Sequence, residues 1–352
     1  MQLQSRADAI QSRRDNERAE RARKESTLSD TPKRVLIQEE GPREGFQFEK
    51  NFIPTKRKIE LIDRLSQTGV DHMQIVSFVS PKAVPGMADA EEVARGVTPR
   101  PGVTYSALWL NTQGFERALA TGVIDVKGTT ILSASPTFLK RNQNRTPEAQ
   151  LQAQHEIVTL YKDRGIEVER GGIMAAFGCN FEGDIPPARV VDLVGQHLDL
   201  AAEQGISLRY ILLADTMAWA TPLSIKRVLG AARAKFPDVE FALHLHDTRS
   251  MGIANAFAGL EMGVRRFDSS VGGLGGCPFA GHAGAAGNVC TEDLVFMCHE
   301  MGIETGVDLE ALVDCARLAE DIVGHPLPGS VMKGGGLDGL RARAKAREAA
   351  PQ

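Results

Sequence analysis

Residues 241–294 read FALHLHDTRSMGIANAFAGLEMGVRRFDSSVGGLGGCPFAGHAGAAGNVCTEDL, and the rest of the chain is organised around them. An apolar run ends in His244-Leu245-His246-Asp247, a helical pattern follows, and a second apolar run ends in Val271-Gly272-Gly273-Leu274-Gly275-Gly276-Cys277-Pro278. Strand, helix, strand in direct succession is the unit of a parallel sheet. Side chains alternate along a strand, so His244 and His246 point to the same face and form a possible two-toothed metal clamp. Cys277 and Asn288 arrive on the neighbouring strand-and-loop unit.

The same alternation extends in both directions. Strand-like runs occur at 34–38, 72–78, 103–110, 126–132, 173–177, 208–214, 239–244 and 266–271. Helical spacing occurs at 54–67, 89–95, 113–120, 147–163, 187–203, 222–235, 253–262, 291–301 and 309–323. Thr146 stands at an N-cap with Pro147 behind it, and Gly69, Gly122 and Gly205 stand where helices stop. About eight units with a period of roughly 35 residues match the count and size of a (β/α)8 TIM barrel. A doubly wound open sheet is the alternative, but no G-x-G-x-x-G follows the first strand. In a barrel the functional residues gather at the carboxyl ends of the strands. Arg43, Glu44, Gln74, Ser77, Asp215, Thr216, His244, His246, Cys277 and Asn288 all fall at such ends.

Composition sets limits. The 352 residues are 42% hydrophobic and 24% charged, ordinary for an α/β protein. A net charge of -4 argues against non-specific nucleic-acid binding, and no apolar run reaches the roughly 20 residues of a membrane span. Five irregularly spaced cysteines without a CxxC pair suit a reducing, cytoplasmic setting. Residues 1–33 read as a charged N-terminal tail: Asp8, Asp15, Glu17, Glu20 and Glu25 disfavour a transit peptide, and there is no apolar signal core. The barrel is expected over 34–330, with 331–352 as a C-terminal tail.

Each chemical candidate has a plain structural counterpart. The two histidines either ligate a metal or are satisfied by hydrogen bonds at a barrel rim. With Glu44 and Asn288 they make a mixed nitrogen and oxygen set, which suits Mg2+ or Mn2+ rather than structural zinc. Arg43, in Gly41-Pro42-Arg43-Glu44-Gly45, either stabilises a developing enolate oxygen or pairs with a nearby carboxylate. Cys277 in its glycine bed reads as a proton-transfer group on a lid loop, against the commoner fate of a buried apolar thiol. Cys179, Cys290, Cys298 and Cys315 are read as structural.

The segments GPREGFQFEK, SFVSPKAVPGMAD, LADTMAWATP, HLHDT and DSSVGGLGGCPFA with GNVCTEDLV together resemble the 3-hydroxy-3-methylglutaryl-CoA lyase family. HLHD and the Arg-acid loop are shared with a wider superfamily of metal-dependent barrel lyases and synthases, whereas GGLGGCP is specific to the lyases. The resemblance implies a TIM barrel that cleaves a 3-hydroxyacyl-CoA to acetyl-CoA and a keto acid, acts on an acyl-CoA substrate, forms a homo-oligomer (dimer or tetramer), and serves leucine degradation. It implies Glu44, His244, His246 and Asn288 as ligands of a divalent cation. Arg43 would then act on the enolate, Cys277 in proton transfer, and Asp215 as a further acid. Gln74 stands at the place of a catalytic glutamate, and Ser77 and Lys333 are the candidates for coenzyme contact. The family pattern differs at three places: Asp for Glu44, Glu for Gln74, and a loop two residues shorter between Cys277 and Asn288. These departures keep open a lyase for another substituted or malyl-type CoA thioester. A Claisen-type synthase is the other alternative, disfavoured by the Cys277 loop and by the lack of a further regulatory domain after the last helix.

Overall fold

A computed structural model describes residues 31–276 and 286–348. Eight strands form one parallel sheet: β1 (Leu36–Glu39), β2 (His72–Ser77), β3 (Thr104–Leu108), β4 (Gly128–Ser133), β5 (Val168–Met174), β6 (Tyr210–Asp215), β7 (Phe241–Leu245) and β8 (Arg266–Ser269). Their order is β3-β2-β1-β8-β7-β6-β5-β4, with helices between successive strands. This is the expected TIM barrel, curled so that β8 returns to β1 through the register Leu36 with Arg266 and Glu39 with Ser269.

The curl has a seam. Among the described residues no ladder joins β3 to β4. The backbone donors of β4 turn instead to the helix Pro147–Asp163, where Gln154 Oε1 accepts from Ile131 N at 2.8 Å and Gln150 Oε1 accepts from Ser133 N at 3.0 Å. Two buried glutamines thus occupy the acceptor role of a neighbouring strand, so that buried N–H groups keep a partner.

Strand alternation sorts the side chains. Met73, Ile75, Ile173, Leu213, Leu243 and Phe267 are all buried against the helices. The opposite set lines the barrel interior and is polar: Gln38, His72, Gln74, Arg170, Tyr210 and Arg266. A TIM barrel normally packs apolar layers here.

Several helix boundaries carry the signals read from sequence. Thr146 caps with Pro147 in the first turn, and Gly205 ends its helix at φ 63°. Other features differ from expectation. Gly41–Phe48 is a helix, α1, rather than a tight loop, because Pro42 occupies the first turn, where no N–H is missed. The helix Pro136–Gln143 and the small hairpin of Gly178–Cys179 with Gly183–Asp184 were not read from the sequence. At the carboxyl end Val331 and Met332 are buried, while the following helix Asp338–Glu348 is exposed over 338–347.

Candidate active site at the mouth of the barrel

Glu44 is the centre of the site. It lies in the first turn of α1, directly after β1, where a carboxylate also meets the positive end of the helix. The helix can approach the loop at 270–274 because Gly45 has no side chain; a Cβ there would come 2.8 Å from Leu274 Cβ. Glu44 Oε1 is 3.2 Å from His246 Nε2, and Oε2 is 3.9 Å from His244 Nε2. One ligand atom from each of the three residues lies within 4.8 Å of the others.

Each ring is fixed from behind. His244 Nδ1 is 3.0 Å from Asp268 Oδ2 on β8, and His246 Nδ1 is 3.3 Å from the Ala286 carbonyl. A carboxylate or carbonyl on the far nitrogen is the arrangement that orients a ligating imidazole. Burial pushes His244 down, but Asp268 and Glu44 outweigh it, so it is held above its ordinary value. His246 is held below it, chiefly by burial.

Asn288 joins from beyond the loop that follows β8. β7 ends at Leu245, so His246 stands just beyond the strand rather than within it. There it forms an antiparallel bridge with Asn288, flanked by Val289 N to Leu245 O at 2.8 Å and Asp247 N to Gly287 O at 3.0 Å. Asn288 Nδ2 donates to Glu44 Oε2 at 3.3 Å. Its Oδ1 is buried and has no hydrogen-bond partner among the described residues. Two imidazole nitrogens, a carboxylate and an orphaned amide oxygen are the donor set of a hard or borderline divalent cation, and the residues fit one.

Arg43 Nη1 is 3.2 Å from Glu44 Oε2, and its Nη2 donates to Glu40. Glu40 also accepts from Gln38 Nε2. Burial pushes the Glu40 carboxyl up, yet Arg43, His244 and Arg170 overcome this and hold it below the usual carboxylate range. Burial also opposes the charge of Arg170, which Tyr210, Asp268 and Glu40 restore. Sequence reading missed Glu40, Asp268 and Arg170. The signal was the alternation itself: Gln38 and Glu40 share a face, as do Arg266 and Asp268.

Gln74 lies on β2 and lines the same cavity, with Oε1 buried and unpartnered among the described residues. Ser77 faces Gln47 instead, donating to its Oε1 at 3.0 Å. Asp215 ends β6; its Oδ1 accepts from Trp219 N at 2.7 Å and Ala220 N at 3.0 Å, while Oδ2 has no hydrogen-bond partner among the described residues. Burial pushes Asp215 up to about 7, against the pull of these two amides. Lys333 sits away from the cluster on the short helix Val331–Gly334 and donates to the Leu327 carbonyl at 2.6 Å. Cys277 and its loop lie outside the described residues. Cys179, Cys290, Cys298 and Cys315 are buried, as expected of structural thiols.

The cavity over this cluster measures about 250 Å³. It meets a groove of about 900 Å³ at Gln47, Phe48, Leu108, Leu110 and Asn142. No helix among the described residues is long and apolar enough to cross a membrane.

Comparison with known proteins follows the same residues. The HMGL-like family model matches residues 34–319. The mitochondrial hydroxymethylglutaryl-CoA lyase of Bos taurus is 42% identical over 294 residues, covering 84% of this chain and 87% of that protein. The Bacillus subtilis hydroxymethylglutaryl-CoA lyase YngG is 40% identical over 297 residues, covering 84% and 96%. Among solved structures, the B. subtilis HMG-CoA lyase superposes with a TM-score of 0.79 at 38% identity, covering 86% of this chain and 98% of that one. An Acinetobacter baumannii HMG-CoA lyase in complex with coenzyme A and 3-methylmalate gives 0.77 at 39%, covering 87% and 96%. With the match running from the first barrel strand past the last, the chain belongs to the HMGL-like family.

Proposed function

We infer that the protein is a divalent-metal-dependent carbon–carbon lyase that cleaves 3-hydroxy-3-methylglutaryl-CoA to acetyl-CoA and acetoacetate by retro-Claisen chemistry. The observation that carries this is the Glu44, His244 and His246 cluster, with the orphaned Asn288 Oδ1 beside it and Arg43 in the same cavity. When bound there, a cation such as Mg2+ or Mn2+ supplies a Lewis acid and a template for substrate oxygens.

The chain's own residues do the rest. In the reaction the 3-hydroxyl gives up its proton, the C2–C3 bond breaks as C3 becomes a carbonyl, and the electron pair forms the enolate of acetyl-CoA, which is protonated at C2. Arg43 is aimed by Glu40 and Glu44 and cannot swing away, so it offers a fixed cation to the enolate oxygen. Asp215, pushed up to about 7 by burial, is assigned as the further acid of the site, between Ala214 and Thr216, which line the cavity. Cys277 is assigned the protonation of the enolate. Gln74 cannot ionise, and its free Oε1 accepts a hydrogen bond from substrate. Ser77 acts by holding Gln47, a residue of both the cavity and the groove; the groove takes the coenzyme arm, and Lys333 is kept as the candidate phosphate contact.

A homo-oligomer, dimer or tetramer, in the cytoplasm and a place in leucine breakdown belong to the same proposal. A second reading, a lyase for a differently substituted thioester, is favoured by Gln74. The test is thioester cleavage by purified protein with Mg2+ or Mn2+ added or chelated. Metal-dependent release of acetyl-CoA is expected, and inactivity with 3-hydroxy-3-methylglutaryl-CoA and its substituted homologues overturns the reading.

A further inference from the structure

The cavity at the mouth is divided by chemistry. Its charged side comes from β1, α1, β7 and β8: Glu40, Arg43, Glu44, His244, His246 and Asp268. Its other side comes from β3 to β6, where Leu108, Ile131, Gly172, Met174, Leu212 and Ala214 form an apolar part, with Thr129 and Arg170 lining the cavity from β4 and β5 beside it. The two sides meet closely, since Ala214 pairs in register with His244, and Leu212 pairs with Gly172 on the next strand.

Gly172 sets the depth of the apolar side. Its neighbour Gly171 faces outward, where a Cβ would come 2.9 Å from His197 Nδ1, so strand alternation turns Gly172 into the barrel. A Cβ added at Gly172 would meet nothing nearer than Thr130 O at 3.7 Å and Ile131 Cγ1 at 3.9 Å. Glycine there therefore serves no close backbone approach; it leaves open space beside a site whose opposite wall holds the charged groups. The register partner of Gly172 is Leu212, and Ala214 stands two residues further along β6 in register with His244, so the recess at Gly172 lies one layer below His244.

We propose that this recess is an acyl pocket and that the enzyme takes a 3-hydroxyglutaryl thioester whose C3 branch is apolar and larger than methyl. The proposal rests on the lyase reading above and specifies its substrate. The hydroxyl and carboxylate of the substrate occupy the charged side, and the C3 branch lies over Gly172 against Ile131 and Leu212. The chemistry is unchanged: the C2–C3 bond breaks, the hydroxyl proton leaves as C3 becomes a carbonyl, the electron pair goes to C2 and is protonated there. The products are acetyl-CoA and a branched 3-oxo acid.

The experiment compares kcat/KM for 3-hydroxy-3-methylglutaryl-CoA and for 3-hydroxy-3-isobutylglutaryl-CoA, with Mg2+ present, in the wild type and in Gly172→Ala, Gly172→Val and Gly172→Leu. The wild type is expected to cleave the isobutyl thioester at least as efficiently as the methyl one. The isobutyl-to-methyl ratio is expected to fall stepwise with side-chain size, by at least about ten-fold at Val, the scale on which a hydrophobic pocket distinguishes a methylene. The alanine variant, for which the space exists, keeps the series readable if leucine does not fold. A wild type that cleaves the methyl thioester but prefers it more than ten-fold overturns the pocket and leaves the lyase reading standing. So does a series in which both substrates fall together. A wild type that cleaves neither overturns both.

Discussion

Glu39 and Glu40 are neighbours in sequence and equally buried, and the barrel gives them opposite fates. Glu39 points outward between sheet and helices, where it accepts from Gly41 N at 2.7 Å, Val271 N at 2.9 Å and Thr291 Oγ1 at 2.5 Å. All three donors are neutral, and burial pushes its carboxyl up to about 7 despite them. Glu40 points inward to Arg43, with His244 and Arg170 nearby, and is held down in spite of its burial. One residue of strand alternation separates an acid that staples α1 to the segments around Val271 and Thr291 from an acid that keeps a charge poised at the site. Burial alone does not decide ionisation; the company on each face does.

The largest break in this contrast is Arg43→Met. It removes the cation proposed for the enolate and leaves Glu40 buried without its main partner. Turnover is expected to fall at least about hundred-fold, the scale of losing one transition-state donor. Stability is expected to fall by about 3 kcal/mol or more, as when one half of a buried ion pair is removed. Adding Glu40→Gln should restore the melting temperature without restoring turnover. Recovery of both together would remove Arg43 from its chemical role.

Asp268→Asn comes next. It weakens the far-side hold on His244, 3.0 Å away, and metal affinity measured by calorimetry is expected to drop about 10–100-fold. Unchanged affinity would take Asp268 out of the ligand-orienting role.

The outward side is tested by pH. Glu39 titrates at about 7 in the folded chain against an ordinary 4.5, so folding takes up a proton between those values. The stabilisation is complete below about pH 4.5 and is lost as pH rises through 7, a change of about 3 kcal/mol. Glu39→Gln should flatten that part of the denaturation profile. Glu292, pushed by burial to about 8, adds a slope of the same sign that remains in the variant. A profile identical to the wild type would show that Glu39 titrates alike in the folded and unfolded chains. The smallest effect is expected at the exposed pair of His325 with Glu49, 2.9 Å apart, where His325→Ala should cost under about 1 kcal/mol in urea denaturation.

The fold was legible because strand and helix periodicities alternate through the chain, and the cap at Thr146 and the stop at Gly205 fell where local chemistry put them. The proximity of Glu44, His244 and His246 was legible because the two histidines share a face and Glu44 follows a strand end. Glu40, Asp268 and Arg170 were not, since an acid or arginine in a strand reads as a solvated face until the sheet curls and brings β1, β5 and β8 around one interior. Helix α1 was masked by its Gly41-Pro42 start, which reads as a turn when the packing of Gly45 against Leu274 is unknown.

The seam between β3 and β4 has a consequence for how the barrel holds together. Every other connection in this sheet joins two strands that also share a ladder; the one from β3 to β4 joins two that do not. A nick at the exposed turn around Gly122 severs no ladder, because the sheet already ends on both sides of it. The pieces on either side remain zipped along β1 and β8, so this is where the chain can acquire new ends, as a circular permutant or a reassembling pair of fragments, with the catalytic mouth still spanned by its original strands.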